Sequence, residues 1–375
     1  MDIGIYFFPQ FLKEEEINDV LEQFSNNSIS QIHISFNYNY ILKDKTSKDI
    51  LYFKPNSSYY QTDSELLYYS PAYWNILQKF IESANRAGFR IIAWLNCLEN
   101  QIAISKYPKW AQVNHLGEKS RRFICPNNLS VQNYISNLVT DIIKSYPIQE
   151  LELFNVRFPF PFDEELCCFC ESCQREAANP RALEDLKERE IINDTWKGFS
   201  LKKLRKYFIK NSNLLSTKTL DQDNVFQSWN RFRYNSITRF VGKLLIATRQ
   251  TNQNIVLGTD VWPISTAELI GQNYADLATY QDTIYQMLFI KDKKYQKKGE
   301  VIREINELRK IIKKARGLRK FYSCININEQ FQVNELKNII DNIKQLGVKG
   351  IVLFHYKKEY EVKLELLGEI LRNSN

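Results

Sequence analysis

The sequence predicts an α/β fold, a (β/α)8 TIM barrel with a long insertion after its fourth strand. Three observations predict it. Eight short apolar runs alternate with amphipathic helical patterns along almost all of the 375 residues. No GxGxxG or GxxxxGK(S/T) turn follows the first run, and the chain has only 12 Gly, which disfavours a nucleotide-binding doubly wound sheet. No internal repeat or low-complexity linker divides the chain. Residues 1–375 therefore read as a single barrel, with 160–225 inserted within it.

The elements follow in order. The first strand is 3–8. Ile17, Val20, Leu21 and Phe24 then recur at helical spacing. The second strand is 31–36, followed by a helix carrying Ile76, Leu77, Phe80, Ile81 and Ala84 and stopped by Gly88. The third strand is 90–95, and its helix carries Ile135, Leu138, Val139 and Ile142. The fourth strand is 148–156. A long stretch with a cysteine cluster, a charged helical piece near 181–191 and helices ending near Gln250 leads to the fifth strand, 254–259. The sixth and seventh strands are 283–288 and 321–327. Leu336, Ile339, Ile340, Ile343 and Leu346 mark the helix before the eighth strand, 350–354, and a short helix runs on to Leu371.

Composition excludes several classes. With 44% hydrophobic and 25% charged residues the chain is neither disordered nor a disulfide miniprotein. No apolar run approaches the roughly 18 residues of a membrane span. The opening MDIGIYFF lacks the basic-then-apolar form of a signal peptide, so a cytoplasmic location is expected. The net charge of +8 comes largely from residues 291–320, which read as a solvated helix face. No stacking aromatics or binding module accompany it, so nucleic acid is not an expected partner.

The most specific local signal is Cys167-Cys168-Phe169-Cys170-Glu171-Ser172-Cys173. In a reducing compartment this is not a disulfide framework. Thiolates at C-x-C-x-x-C can turn around one cation, and a closed structural zinc site needs a fourth ligand. Cys125, in the loop before the helix of Ile135, is the expected fourth beside Cys168, Cys170 and Cys173; Cys167 is the rival. Four thiolates leave no open position, so the expected Zn2+ is structural. Cys97 and Cys324 lie on strands and read as core thiols.

The segments CPNN (125–128) and CFCESCQREA (168–177) together resemble the zinc-binding part of family 42 β-galactosidases. They resemble still more a group of glycoside-hydrolase-like barrels with alpha-amylase-like names. ELELFNVRFP (150–159), WNRFRYNSITRFV (229–241), GQNYADLATYQDTIYQMLF (271–289) and GVKGIVLFHY (347–356) carry the same resemblance, which covers most of residues 1–371. It implies a carbohydrate-type cleft at the carboxyl ends of the strands. In family 42 the acid/base Glu follows an Asn at the end of strand four; here that pair reads Asn155-Val156. In the looser group an Asp stands where this chain, aligned on Arg157-Phe158-Pro159, has Phe154.

Strand parity locates candidate site residues, because side chains two apart face the same way. Ile32, Ile34 and Phe36 should face helices, leaving His33, Ser35 and Asn37 inward. By the same rule Glu150, Glu152 and Phe154 face inward, as do Cys324, Asn326 and Asn328. Asp260, Glu329 and Glu152 are the expected catalytic carboxyls, with Asp163 a weaker candidate. Asp260 is read as following the fifth strand and lying outside the apolar core. Asn37, Asn96, Arg157, Trp262, His355 and Tyr356 are expected to line a substrate pocket, Trp262 as a sugar platform and Arg157 as a cation for an anionic group. The expectation is a glycoside-hydrolase-like enzyme acting on a glycoside or similar polyhydroxylated small molecule by general acid/base chemistry. The alternatives are a barrel enzyme with non-hydrolytic chemistry in small-molecule biosynthesis, or a non-catalytic carbohydrate-binding pseudoenzyme.

Overall fold

A computed structural model describes residues 1–37, 51–60, 66–160, 166–178, 200–210, 224–288, 320–326 and 348–357, with parts of 303–310, 337–344 and 364–370. Ten strands are placed: β1 (Asp2–Phe7), β2 (Gln31–Ser35), β3 (Arg90–Asn96), β4 (Ala111–Val113), β5 (Lys119–Ile124), β6 (Glu150–Phe154), β7 (Val256–Val261), β8 (Thr283–Leu288), β9 (Lys320–Asn326) and β10 (Gly350–Phe354). Eight of them close a parallel barrel in the order β1-β10-β9-β8-β7-β6-β3-β2. The first and last strands meet, Asp2 beside Gly350 and Ile5 beside Leu353. This is the predicted (β/α)8 architecture.

Helices α1 (Ile17–Asn26), α2 (Pro71–Arg86) and α4 (Leu129–Ser145) carry the apolar stripes seen in the sequence, and α3 (Gln101–Lys106) follows β3. Their starts are chemically marked. The Ser70 hydroxyl accepts from Tyr73 N before Pro71 opens α2, and Asn128 Oδ1 accepts from Ser130 N and Val131 N at the start of α4. Gly88, at φ +84°, ends α2 in a conformation that side chains with a Cβ adopt at a cost. The inserted region contributes α5 (Glu171–Ala177) and α6 (Leu201–Lys210), and α7 (Asn224–Thr251) packs along α4. Two short turns of helix, α8 (Ile264–Ala267) and α9 (Tyr274–Leu277), precede β8. No helix among the described residues is long and apolar enough to cross a membrane.

Two apolar layers result. The outer one lies between strands and helices; Phe7 of β1 stacks on Phe80 of α2 at 4.5 Å. Burying such a ring contributes about 2–3 kcal/mol. The inner layer fills the barrel with Tyr6, Trp94, Tyr285, Met287, Tyr322, Cys324 and Val352.

Three expectations need correction. The hairpin β4–β5 was not expected; it pairs antiparallel between β3 and α4. The fourth barrel strand is shorter than 148–156, because Asn155 takes φ +53° and ends it at Phe154. The fifth is shifted from 254–259 to Val256–Val261, since Asn252 folds its side chain onto Asn254 N and keeps residues 252–254 in a turn. Asp260 is therefore inside a strand rather than beyond it.

Candidate functional site

The barrel interior is polar at its base. Arg90 donates to Glu150 at 2.6 Å, Tyr285 donates to the other Glu150 oxygen at 2.7 Å, and Tyr322 donates to Asp2 at 2.8 Å. Burial raises the Glu150 pKa, and Arg90 and Tyr285 pull it back. Gly258 leaves the space these groups use: a Cβ there would lie 2.6 Å from the Tyr285 ring and 2.8 Å from Glu150 Oε1.

One level nearer the mouth, Glu152 on β6 and Asp260 on β7 form a carboxyl pair. Glu152 is in register with Gly258, so Asp260 stands one pleat closer to the carboxyl ends. The two carboxyls hydrogen-bond to each other. The Tyr6 hydroxyl lies 2.5 Å from Glu152 Oε1 and 3.3 Å from Asp260 Oδ1, with Cys324 Sγ also at 3.3 Å. Trp94 Nε1 donates to Asp260 Oδ2 at 2.9 Å, and His33 Nδ1 meets Glu152 Oε2. Both carboxyls are almost wholly buried. Burial is the main cause that raises both pKa values, Glu152 to about 8. The Glu152 charge raises Asp260 further, while the contacts with Asp260 and Tyr6 restrain Glu152. Burial also lowers His33 to about 3, so it is neutral.

The mouth above this floor is aromatic. Phe8, Phe154 and Phe354 pack on the inner layer, and His355 stacks on Phe11 at 6.0 Å. On the opposite wall the Arg157 guanidinium lies over Phe123, Phe160 and Trp262 at 4.7, 5.1 and 5.5 Å. It donates to Asn155 Oδ1 and to Phe158 O. Gln272 ties the same wall together, donating to Val156 O and Asp260 O and accepting from Trp262 N.

Asn37 and Asn96 come together at the rim, but Asn37 is occupied there: its amide donates to Asn96 O at 2.8 Å and accepts from Asn96 N at 2.9 Å, extending the β2–β3 ladder past the strand end. Tyr356 is not brought to the mouth. Its ring packs against Phe24 at 5.1 Å and its hydroxyl donates to Gln23, so it faces α1 on the outside of the barrel. The expectation for Asp260 is corrected too: it sits in the buried interior because β7 runs on to Val261. Glu329 and Asp163 lie outside the described residues.

Tyr6 and Trp94 bind the carboxyl pair and were not singled out for that role; strand parity, extended to β1 and β3, is the signal that finds them. Glu99 was also missed. It accepts from Asn155 Nδ2 at 2.9 Å and pairs with Arg122 at the rim, in a loop that has no period to reveal it.

The second cluster is cysteine. The sulfurs of Cys125, Cys168, Cys170 and Cys173 all lie within 4.8 Å of one another and are buried. Cys125 Sγ is 3.5 Å from Cys173 and 3.4 Å from Cys170. Tetrahedral thiolates about 2.3 Å from one zinc stand about 3.8 Å apart, so the set fits such a cation. Val113 N donates to Cys168 Sγ at 3.4 Å and Asn127 Nδ2 to Cys173 Sγ at 3.3 Å, as thiolate ligands require. Contacts from the other three sulfurs lower Cys170, while burial raises Cys125 and Cys173. As thiolates, the four buried sulfurs would need a cation to coexist. Cys167 lies beside the set, bridged to Asn114 of the hairpin.

No family model matches this sequence, and no curated protein sequence matches it. Among solved structures it is similar to the PgaB (BpsB) glycoside hydrolase domain from Bordetella bronchiseptica, with TM-score 0.64 and 12% identity over 99% of this chain and 98% of that one. It is also similar to the β-galactosidase from the psychrophilic Marinomonas ef1, with TM-score 0.65 and 9% identity over 99% of this chain and 60% of that one. For the cold-adapted β-galactosidase from Rahnella sp. R3 the TM-score is 0.64 and the identity 12%, over 100% of this chain and 56% of that one. The chain thus spans less than two thirds of either β-galactosidase. At these identities the likeness shows a shared barrel fold.

Proposed function

We propose that the chain is a barrel enzyme acting on a glycoside or similar polyhydroxylated small molecule, with Asp260 as its general acid. The observation that carries this reading is the Glu152–Asp260 pair, a proton-holding group at the floor of an aromatic mouth. Trp262 and the Phe11–His355 stack offer flat faces for a sugar ring. The fold neighbours described as a glycoside hydrolase domain and as β-galactosidases support the same substrate class.

Glycoside hydrolysis needs two carboxyls about 5 Å apart for a covalent intermediate, or roughly 6.5–9.5 Å apart to admit water. Glu152 and Asp260 touch, so they cannot flank one bond between them. The second carboxyl in this reading is Glu329, and Glu152 supports Asp260 from below. The contact between Glu152 and Asp260, with Phe154 at the end of β6, favours a second reading: a barrel that binds such a molecule and transfers a proton without hydrolysis.

A panel of aryl glycosides, assayed by turnover and by calorimetric binding, tests both. Hydrolysis that Asp260→Asn lowers in kcat by at least about 10²-fold supports the first reading. Binding without hydrolysis supports the second. Neither binding nor hydrolysis across the panel overturns both. We assign structural zinc to Cys125, Cys168, Cys170 and Cys173; no step of the reaction passes through it. Metal analysis of protein purified without chelator should return about one zinc per chain.

A further inference from the structure

The contacts around Glu152 constrain where hydrogens sit. Tyr6, Trp94 and a neutral His33 bring one hydrogen each. The Tyr6 hydrogen serves Glu152 Oε1, the nearer acceptor at 2.5 Å, and the Trp94 hydrogen serves Asp260 Oδ2 at 2.9 Å. His33 has one hydrogen for two ring nitrogens. Its Nδ1 meets Glu152 Oε2. Its Nε2 is buried with no hydrogen-bond partner and faces Gly4, where a Cβ would lie 2.8 Å away. An orphaned buried N–H is rarer than a bare buried acceptor. The hydrogen therefore belongs on Nδ1, pointing at Glu152. Both Glu152 oxygens then receive a donor, and once Glu152 has titrated, near pH 8, the single proton left on the pair has only Asp260 to occupy.

We propose that His33 is a positioning residue for the carboxyl pair: its Nδ1–H braces Glu152 as the carboxylate and leaves the remaining proton on Asp260, the member nearer the mouth. This deepens the functional reading above and rests on it for the role of Asp260 alone. The other groups facing this point are Tyr6 of β1, Trp94 and Arg90 of β3, Glu150 of β6, Tyr285 of β8 and Cys324 of β9. Arg90 is the cation among them, and Glu150 engages it at 2.6 Å. The imidazole is thus the donor that reaches Glu152 Oε2.

The chain has three histidines, so 15N-histidine labelling gives few signals to assign. At pH 9, where Glu152 has lost its proton, His33 should be neutral and protonated at Nδ1. In 13C-glutamate spectra, His33→Phe should raise the Glu152 titration by about one pH unit or more. His33→Asn, whose amide offers a donor, should bring it back. An imidazolium at pH 7 to 9, an Nε2-protonated ring at pH 9, or an unmoved Glu152 titration in His33→Phe overturns the proposal. The tautomer is read on the unmodified protein, so a variant that fails to fold leaves the experiment decisive. If the spectra are as expected while Asp260→Asn leaves glycoside turnover intact, the positioning role stands and the assignment of Asp260 as acid falls.

Discussion

Asp260 shows what one buried carboxyl does to a barrel. Its folded pKa is raised above the unfolded value, by burial first and the Glu152 charge second. Above about pH 4 the folded chain therefore holds a proton that the unfolded chain has lost, and stability falls as pH rises. His33 acts in the opposite sense. It is neutral when folded down to about 3, so its contribution is lost as pH falls below about 6.5 and is constant above that. Between pH 7 and 8 the carboxyls act without it. Urea unfolding at those two pH values should show Asp260→Asn with a shallower pH slope, the difference reaching at most about 1.4 kcal/mol per unit, the value for one whole proton. An unchanged slope would mean that Asp260 is ionised in the fold. Much of this level was legible in the sequence: alternation along 31–36 and 148–156 placed His33 and Glu152 inside the barrel. Asp260 was misplaced because Gly258 and Thr259 carry no apolar alternation to show that the strand continues. Tyr356 was misread because β10 ends at Phe354, and the alternation of faces does not carry past the end of a strand.

At the scale of elements, the cysteine cluster joins pieces that do not otherwise share a sheet. Cys125 follows β5, while Cys170 sits at the start of α5 and Cys173 within it. Phe169 N donates to Val113 O, and Asn127 links Cys173 to Ser236 of α7. A cation held here clamps the β4–β5 hairpin, α5 and α7 together while touching no barrel strand. Cys168→Ser, or chelation of the wild type, should lower stability by at least about 2 kcal/mol. Faster hydrogen exchange should be confined to 111–125 and 166–178, with β1, β2 and β3 still protected. A variant with unchanged melting temperature but no activity would overturn the structural role. The spacing of thiols made the cluster legible. The hairpin stayed hidden because its short first strand and the charged alternation of Lys119–Ile124 resemble solvated loop.

For the whole molecule, closure depends on the meeting of β1 and β10. A chain cut at residue 347 keeps seven barrel strands but leaves β1 and β9 with unpaired edges. Such a chain should lose its cooperative unfolding transition and partition into the insoluble fraction. A soluble truncation with a sharp melt would show that closure is dispensable. The same adjacency sets a clock for the cell. Asp2 finds its partner only when Gly350 has been made. At about 5–20 residues per second, the first strand waits roughly 20 to 70 seconds for its neighbour. For that interval an apolar strand of the nascent chain keeps one edge open, so the time before β10 is made, more than the finished barrel, is when this protein has most need of a chaperone.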